Sequence, residues 1–191
     1  MATFGVIASG TIGIIVGSFT AQNTTSTKIA LGICDTLQTF PSFVYLIPVM
    51  MLFGITDTSV LIAVIIYATI PATRYTIEGL RSVPPALQDA ASMSGVTRLQ
   101  RLLKIEFPLA FPHIMLGINQ TVAFALFMVI IGAFIGTEDL GQYILKALSD
   151  NKGGGKGLIL GLCVAFIGLA VDNLIRTWAN QRKKLLGIEE Y

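Results

Sequence analysis

Apolar residues gather into five long runs along this chain, and a helix that crosses a bilayer needs about 20 mostly apolar residues. The first run is Met1 to Phe19 and carries no charge. The second extends from about Ile29 to Phe53; it contains Asp35, Pro41 and Pro48, so a broken or bent helix is expected. The third, about Thr58 to Thr73, is short and bounded by Asp57 and Arg74. The fourth, about Leu109 to Gly136, is the longest and holds the only histidine, His113. The fifth runs from Gly157 to about Trp178 and encloses Asp172 and Arg176. Their i, i+4 spacing lets these two neutralise one another on one helical face, and a pair near a membrane end costs far less than a lone central charge. The pattern predicts an all-α, polytopic membrane protein of about five transmembrane helices.

Composition supports a bilayer as the solvent. The chain is 53% hydrophobic and 13% charged, against roughly 25% charged in soluble domains. A single soluble core of this size could not hide so much apolar surface. A net charge of +2 is too small to argue for nucleic acid. The N-terminus has no Lys or Arg before Lys28, so it lacks the basic start of a secretory signal and reads as a mature membrane segment. Cys34 and Cys163 lie in apolar runs without CxxC spacing and read as small buried hydrophobes.

The basic residues set an expected orientation. Lys28, Arg74, Arg81, Arg98, Arg101, Lys104, Arg176, Arg182, Lys183 and Lys184 fall on one side of the membrane, and Lys146, Lys152 and Lys156 on the other. Ten against three places the segment 74–108 and the C-terminus in the cytoplasm and the N-terminus outside. Three apolar runs carry Gly-x-x-x-Gly: Gly13 to Gly17, Gly132 to Gly136, and Gly157 to Gly161. Small residues at that spacing let helix backbones approach closely in lipid, although glycine is common in membrane helices generally.

The loop after the third run is too long for a simple turn. Pro84 and Pro85 suit the first turn of a helix, Ala86 to Ser94 continue it, and Gly95 suits the position that ends it. Thr97 and Gln100 form a T-x-x-Q capping box for a second helix. Arg98, Arg101 and Lys104 line one face of that helix, with Leu99, Leu102 and Leu103 on the other. Pro108 and Pro112 are expected to close the segment before the fourth run. The product is a helix–glycine–helix elbow parallel to the membrane. Ala86, Ala90, Ala91 and Ser94 give its first arm a small-residue surface that suits a groove on another protein; an interfacial helix without a partner is the other reading.

Asp89-Ala90-Ala91, three residues, Gly95, nine residues, Ile105, one residue and Phe107-Pro108 resemble the EAA loop of ABC importer permeases. That pattern is Glu-Ala-Ala, then Gly, Ile and Leu-Pro at the same spacings, with Asp89 for Glu and Phe107 for Leu as departures. The segments Asp35 to Pro48, Gly117 to Thr121, Ile131 to Ala133, Gly141-Gln142 and Cys163 to Asp172 resemble the glycine betaine/proline branch, so the similarity covers nearly the whole chain. Members of that branch usually have further transmembrane sequence before the core. This chain starts almost at the first core helix, as a short member, a misassigned start or a fragment would.

The resemblance implies a single permease domain over 1–191 with a MetI-like core, in a bacterial inner membrane. It implies that 74–108 is a cytoplasmic coupling loop that docks on a separate ATPase. Asp89, Ala90, Ala91 and Gly95 would make the contact, and Ile105 and Pro108 would set the elbow. The implied partners are that ATPase, an external solute-binding protein, a second permease copy and membrane lipid. The implied solute is glycine betaine or proline, with choline, carnitine or another amino-acid-like solute as alternatives. No cofactor is expected on this chain, since ATP would sit on the partner, and no catalytic or metal site is expected.

The residues themselves agree. Gly153-Gly154-Gly155-Lys156-Gly157 lacks the first Gly spacing and the Ser or Thr of a phosphate loop. His113 has no neighbouring ligand type and reads as structural. Gln38, Asn119 and Gln120 are polar groups in or near spans, where such groups line a route or bond between helices. Phe43 and Tyr45, near the Pro41 break, offer faces that a quaternary ammonium would prefer. An ATP-independent secondary transporter or channel would need an internal inverted repeat or a charged relay, and neither is visible.

Overall fold

Residues 2–136, 140–149 and 154–185 are described in a computed structural model of the chain, and every regular element among them is helical. Helix α1 spans Ala2–Thr20, α2 Thr24–Thr39, α3 Phe43–Phe53 and α4 Asp57–Arg81. The elbow follows as α5 (Pro85–Met93) and α6 (Arg98–Arg101). A π-turn over Leu102–Glu106 leads into α7 (Phe107–Gly132), and a 3-10 turn, Ala133–Ile135, closes it. Helices α8 (Leu140–Ser149) and α9 (Gly154–Leu185) complete the described chain. Lys152, which the sequence places on the side opposite the cytoplasm, and Gly153 lie outside the described residues.

Among the described residues, Ala2–Thr20, Asp57–Arg81, Arg98–Gly132 and Gly155–Arg182 are long and apolar enough to cross a membrane. The pair α2 and α3 is together long and apolar enough for a fifth span, but is bent by 89° at its break, as a broken span or a re-entrant loop would be. The break lies where Pro41 predicts it. Phe40, immediately before the proline, is forced to an extended backbone (φ −74°, ψ 136°) and ends α2. Pro48, by contrast, stays inside α3.

Helix α4 is the centre of the molecule, packed most extensively against α7 and α1. Its side chains Val60, Ala63, Val64 and Ala68 form one core with Leu46 of α3 and Ala125 and Met128 of α7. A second core joins Leu80 to Leu102, Ala110 and Ile114 where the elbow meets the bundle. Helix α9 is the opposite case: Leu158, Ile159, Leu162, Phe166 and Leu169 are all exposed, a surface suited to lipid. Cys34 is buried as expected, whereas Cys163 is exposed on this outer helix.

Two spans differ from the sequence reading. The third does not end at Arg74 but continues to Arg81. Arg74 is compensated inside the bundle by Asp35 of α2 and by Glu78 one turn on, so its charge does not stop the helix. The fourth does not begin after its prolines. Pro108 occupies the first turn of α7 and Pro112 lies within it. The wide turn at Leu102–Glu106, where the Phe107 N–H donates to the Leu102 carbonyl, sits just before Pro108 and absorbs its missing donor. It also brings Arg101 within 2.9 Å of Glu106, five positions away. The elbow's second arm and the fourth span are therefore one continuous rod.

Helix α1 meets α4 through glycine. A Cβ on Gly13 would lie 2.4 Å from the Ala72 Cβ, and one on Gly17 would lie 2.7 Å from the Thr76 Cβ. The first Gly-x-x-x-Gly is thus a helix contact, while a Cβ on Gly161 of the third would meet nothing.

Candidate functional site

The elbow has the local chemistry its sequence predicts. Pro85 opens α5, and Gly95 takes φ +73° just beyond the Ser94 cap, a left-handed backbone that glycine adopts without a Cβ penalty. Thr97 and Gln100 form the reciprocal capping box, with the Thr97 N–H donating to Gln100 Oε1 at 2.9 Å and the Gln100 N–H to Thr97 Oγ1 at 3.3 Å. Arg101 Nη1 donates to Ser92 Oγ at 3.1 Å and ties the two arms together. Thr97→Ala is expected to cost the second arm about 1 kcal/mol, read as faster amide hydrogen exchange at residues 98–101.

Asp89, Ala90 and Gly95 stand exposed on the elbow, together with Ala86 and Ser94. Ala91 turns inward and is buried, so it does not share their surface. Ile105 and Pro108 are half-buried where the rod enters the bundle. Of the three leucines of the second arm, Leu102 alone packs into the core; Leu99 and Leu103 remain exposed.

Beside the broken span, α2, α4 and α7 border a half-open polar cavity of about 320 Å³ lined by Gln38, Arg74, Tyr75, Glu78, Gln120 and Phe124. Arg74 organises it. Its Nη1 lies 2.8 Å from Asp35 Oδ1 and donates to Gln38 Oε1 at 3.1 Å, and its Nε donates to Glu78 Oε1 at 2.9 Å. Polar groups at membrane depth face such interiors because lipid cannot solvate them. The cavity adjoins the C-terminal end of α2, where the span breaks.

The five path candidates separate. Gln38 and Gln120 meet on this cavity, although they come from different helices. Asn119, one position from Gln120, does not reach this cavity; its amide donates to Asp172 of α9, and both Asn119 and Gln120 line a second hollow between α7 and α9. Asp172 also accepts from Arg176, 2.8 Å away, as the spacing predicts. Tyr45 is buried, its hydroxyl donating to the Leu37 carbonyl. It lies 5.1 Å from Tyr67, which stacks at 4.8 Å on Phe124, so Tyr45 backs the cavity wall. Phe43 contacts Phe134 edge-on and stays largely exposed.

Arg74 and Glu78 are the cavity residues that sequence reasoning missed as a site. The signal was present: they stand at i, i+4 inside apolar helical spacing, as Asp172 and Arg176 do. His113 is exposed on α7 beside Gly79, where α4 and α7 approach closely. Among the described residues, no three His, Cys, Asp or Glu side chains are grouped to hold a metal.

Long apolar helices around one central span, a broken helix and a polar cavity beside the break are features that helical membrane transporters combine. The chain belongs to the family described as "Binding-protein-dependent transport system inner membrane component", which it matches over residues 10–184. It is 77% identical over 188 residues to the trimethylamine N-oxide transport system permease protein TmoV of Pelagibacter ubique (strain HTCC1062), a match covering 98% of this chain and 26% of that protein. It is 34% identical over 178 residues to the glycine betaine transport system permease protein OpuAB of Bacillus subtilis (strain 168), covering 93% of this chain and 63% of that one. The chain therefore spans about a quarter of the length of the first of these relatives. In fold it is similar to a chain of the MetNI methionine ABC transporter solved in inward-facing conformations. The TM-score is 0.73 at 16% identity, over 97% of this chain and 92% of that one.

Proposed function

We propose that this chain is the membrane-spanning part of an ATP-driven importer for small methylated amines, with trimethylamine N-oxide (TMAO) as its first solute. The observation that carries the reading is the 77% identity, across 98% of the chain, to a permease named for TMAO, against 34% to one named for glycine betaine. This moves the preferred solute from the glycine betaine or proline that the sequence resemblance implied to a close chemical relative.

In this reading the elbow faces the cytoplasm, as the distribution of Lys and Arg supports, nine to three once Arg74 is placed in the span, and presents Asp89, Ala90 and Gly95 to a separate ATPase. ATP binds and is hydrolysed on that partner. A second permease copy completes the route and an external binding protein delivers solute. Nucleotide-driven closure of the ATPase pair shifts the permeases between two states by binding one of them better. The capped, Gly-hinged elbow and its rigid continuation into α7 suit that task mechanically.

Uptake of labelled TMAO by cells making the assembled transporter tests the solute assignment. Unlabelled TMAO is expected to compete best, followed by glycine betaine, with choline and carnitine weaker. Glycine betaine uptake that unlabelled TMAO fails to reduce would replace the assignment.

A further inference from the structure

We infer that the cavity around Arg74 is a solute-holding site within the membrane, built for a methylated amine that carries a single anionic oxygen. The inference rests on the proposed function and assigns a selective step to the permease itself, beyond any binding protein outside.

Three observations converge on it. The first is size: about 320 Å³ is at the small end of ligand cavities, which run from about 300 to 1,000 Å³. The second is charge. Two carboxylates, Asp35 and Glu78, surround one guanidinium, leaving one negative charge in excess. The C-terminal end of α2 beside Gln38 adds the negative pole of a helix, and broken spans in transporters use such ends to hold solutes and ions. A methylated ammonium is therefore favoured, and the rings of Tyr75 and Phe124 in the same wall are suited to it.

The third observation separates one oxygen from two. An arginine grips a carboxylate with two parallel N–H groups, using either the Nη1/Nη2 edge or the Nε/Nη2 edge. Here Nη1 is held by Asp35 and Gln38, and Nε by Glu78. Each edge is already half used. Among the described residues Nη2 takes no hydrogen-bond partner, which leaves one N–H free on each edge and a complete fork on neither. A glycine betaine carboxylate gains a fork only by displacing Asp35 or Glu78. The oxygen of TMAO needs no such displacement, and Gln120 across the cavity offers a second N–H.

The test uses the assembled transporter in membranes. Gln120 is exposed to the cavity, so Gln120→Cys introduces a thiol whose alkylation is read by peptide mass spectrometry, apart from Cys34 and Cys163. At about ten times the half-saturating TMAO concentration, alkylation should slow about tenfold, since only unoccupied sites react. Glycine betaine should protect less. Arg74→Lys keeps the charge but loses the fork that holds two partners, so the ratio of TMAO to glycine betaine uptake should fall in that variant. Unchanged alkylation, equal protection by glycine betaine, or an unchanged uptake ratio in Arg74→Lys would each overturn the site. TMAO uptake by Gln120→Cys itself, which lacks the Gln120 N–H, is measured in parallel and keeps the two readings apart. Uptake with an unprotected thiol sinks the site alone, and protection without uptake sinks the transport assignment alone.

Discussion

Gly95→Val should reduce solute uptake by more than about tenfold while leaving the protein inserted in the membrane at normal levels. The backbone at Gly95 has φ +73°, and a residue with a Cβ pays about 1–2 kcal/mol there. A β-branched side chain is the worst fit of all. The segment meets this cost by leaving the left-handed region, which re-aims α5 relative to α6. A Cβ at this position meets nothing in the chain itself, so no core packing is lost. The damage should appear in transmission to the ATPase, read as hydrolysis that continues without uptake. Gly95→Asn is the informative companion, because Asn tolerates the left-handed region. If Asn restores uptake, the backbone angle is what matters; if it fails as Val does, the space above Gly95 is filled by the partner. Normal uptake in Gly95→Val would remove the elbow from the coupling path.

Gly13→Ala is expected to destabilise the bundle by about 2–3 kcal/mol, the upper range for overpacking by so small a group. Its new methyl would lie 2.4 Å from the Ala72 Cβ, 2.9 Å from the Thr73 nitrogen and 3.0 Å from the Thr69 carbonyl. Two of those three atoms are backbone, so no rotamer change relieves the clash and α1 must back away from α4. Gly10→Ala, one turn earlier, is the control: its Cβ meets nothing within 4 Å. Replacing a helical glycine with alanine there should be neutral or gain about 0.5–1 kcal/mol. Thermal unfolding of the two variants in the same detergent separates them. Equal midpoints would mean that α1 is not seated on α4 as described.

The elbow was legible in the sequence because local chemistry specifies it. Pro85, Gly95 and the Thr97–Gln100 box each fix a backbone feature without help from distant residues. The break at Pro41 was legible for the same reason. What could not be read was anything decided by a partner across the bundle. Gly13 and Gly17 announce a close approach but not that α4 makes it. Arg74 looks like a helix terminus until Asp35 is brought to it from α2. Pro108 and Pro112 look like stops because proline usually is one, yet a widened turn carries the helix past them. Helix α8 lies between the fourth and fifth apolar runs and, at ten residues, is too short to stand out as a span. In the candidate site, Gln38 and Gln120 were found by polarity alone, whereas Arg74 and Glu78 were assigned outside the membrane by a boundary placed about two turns too early.

The π-turn ahead of α7 has an angular meaning. Successive residues of an α-helix point about 100° apart, and Asn119 and Gln120 are successive: one engages Asp172 on α9 and the other lines the polar cavity. A single surplus residue between Leu102 and Glu106 thus sets the phase of the whole rod, like one tooth on a gear. Absorbing it would swing Asn119 and Gln120 each by about one such step, changing which side chain of α7 faces the polar cavity. The elbow lies on the near side of that tooth, so a small twist delivered there would turn the polar face of α7 with it.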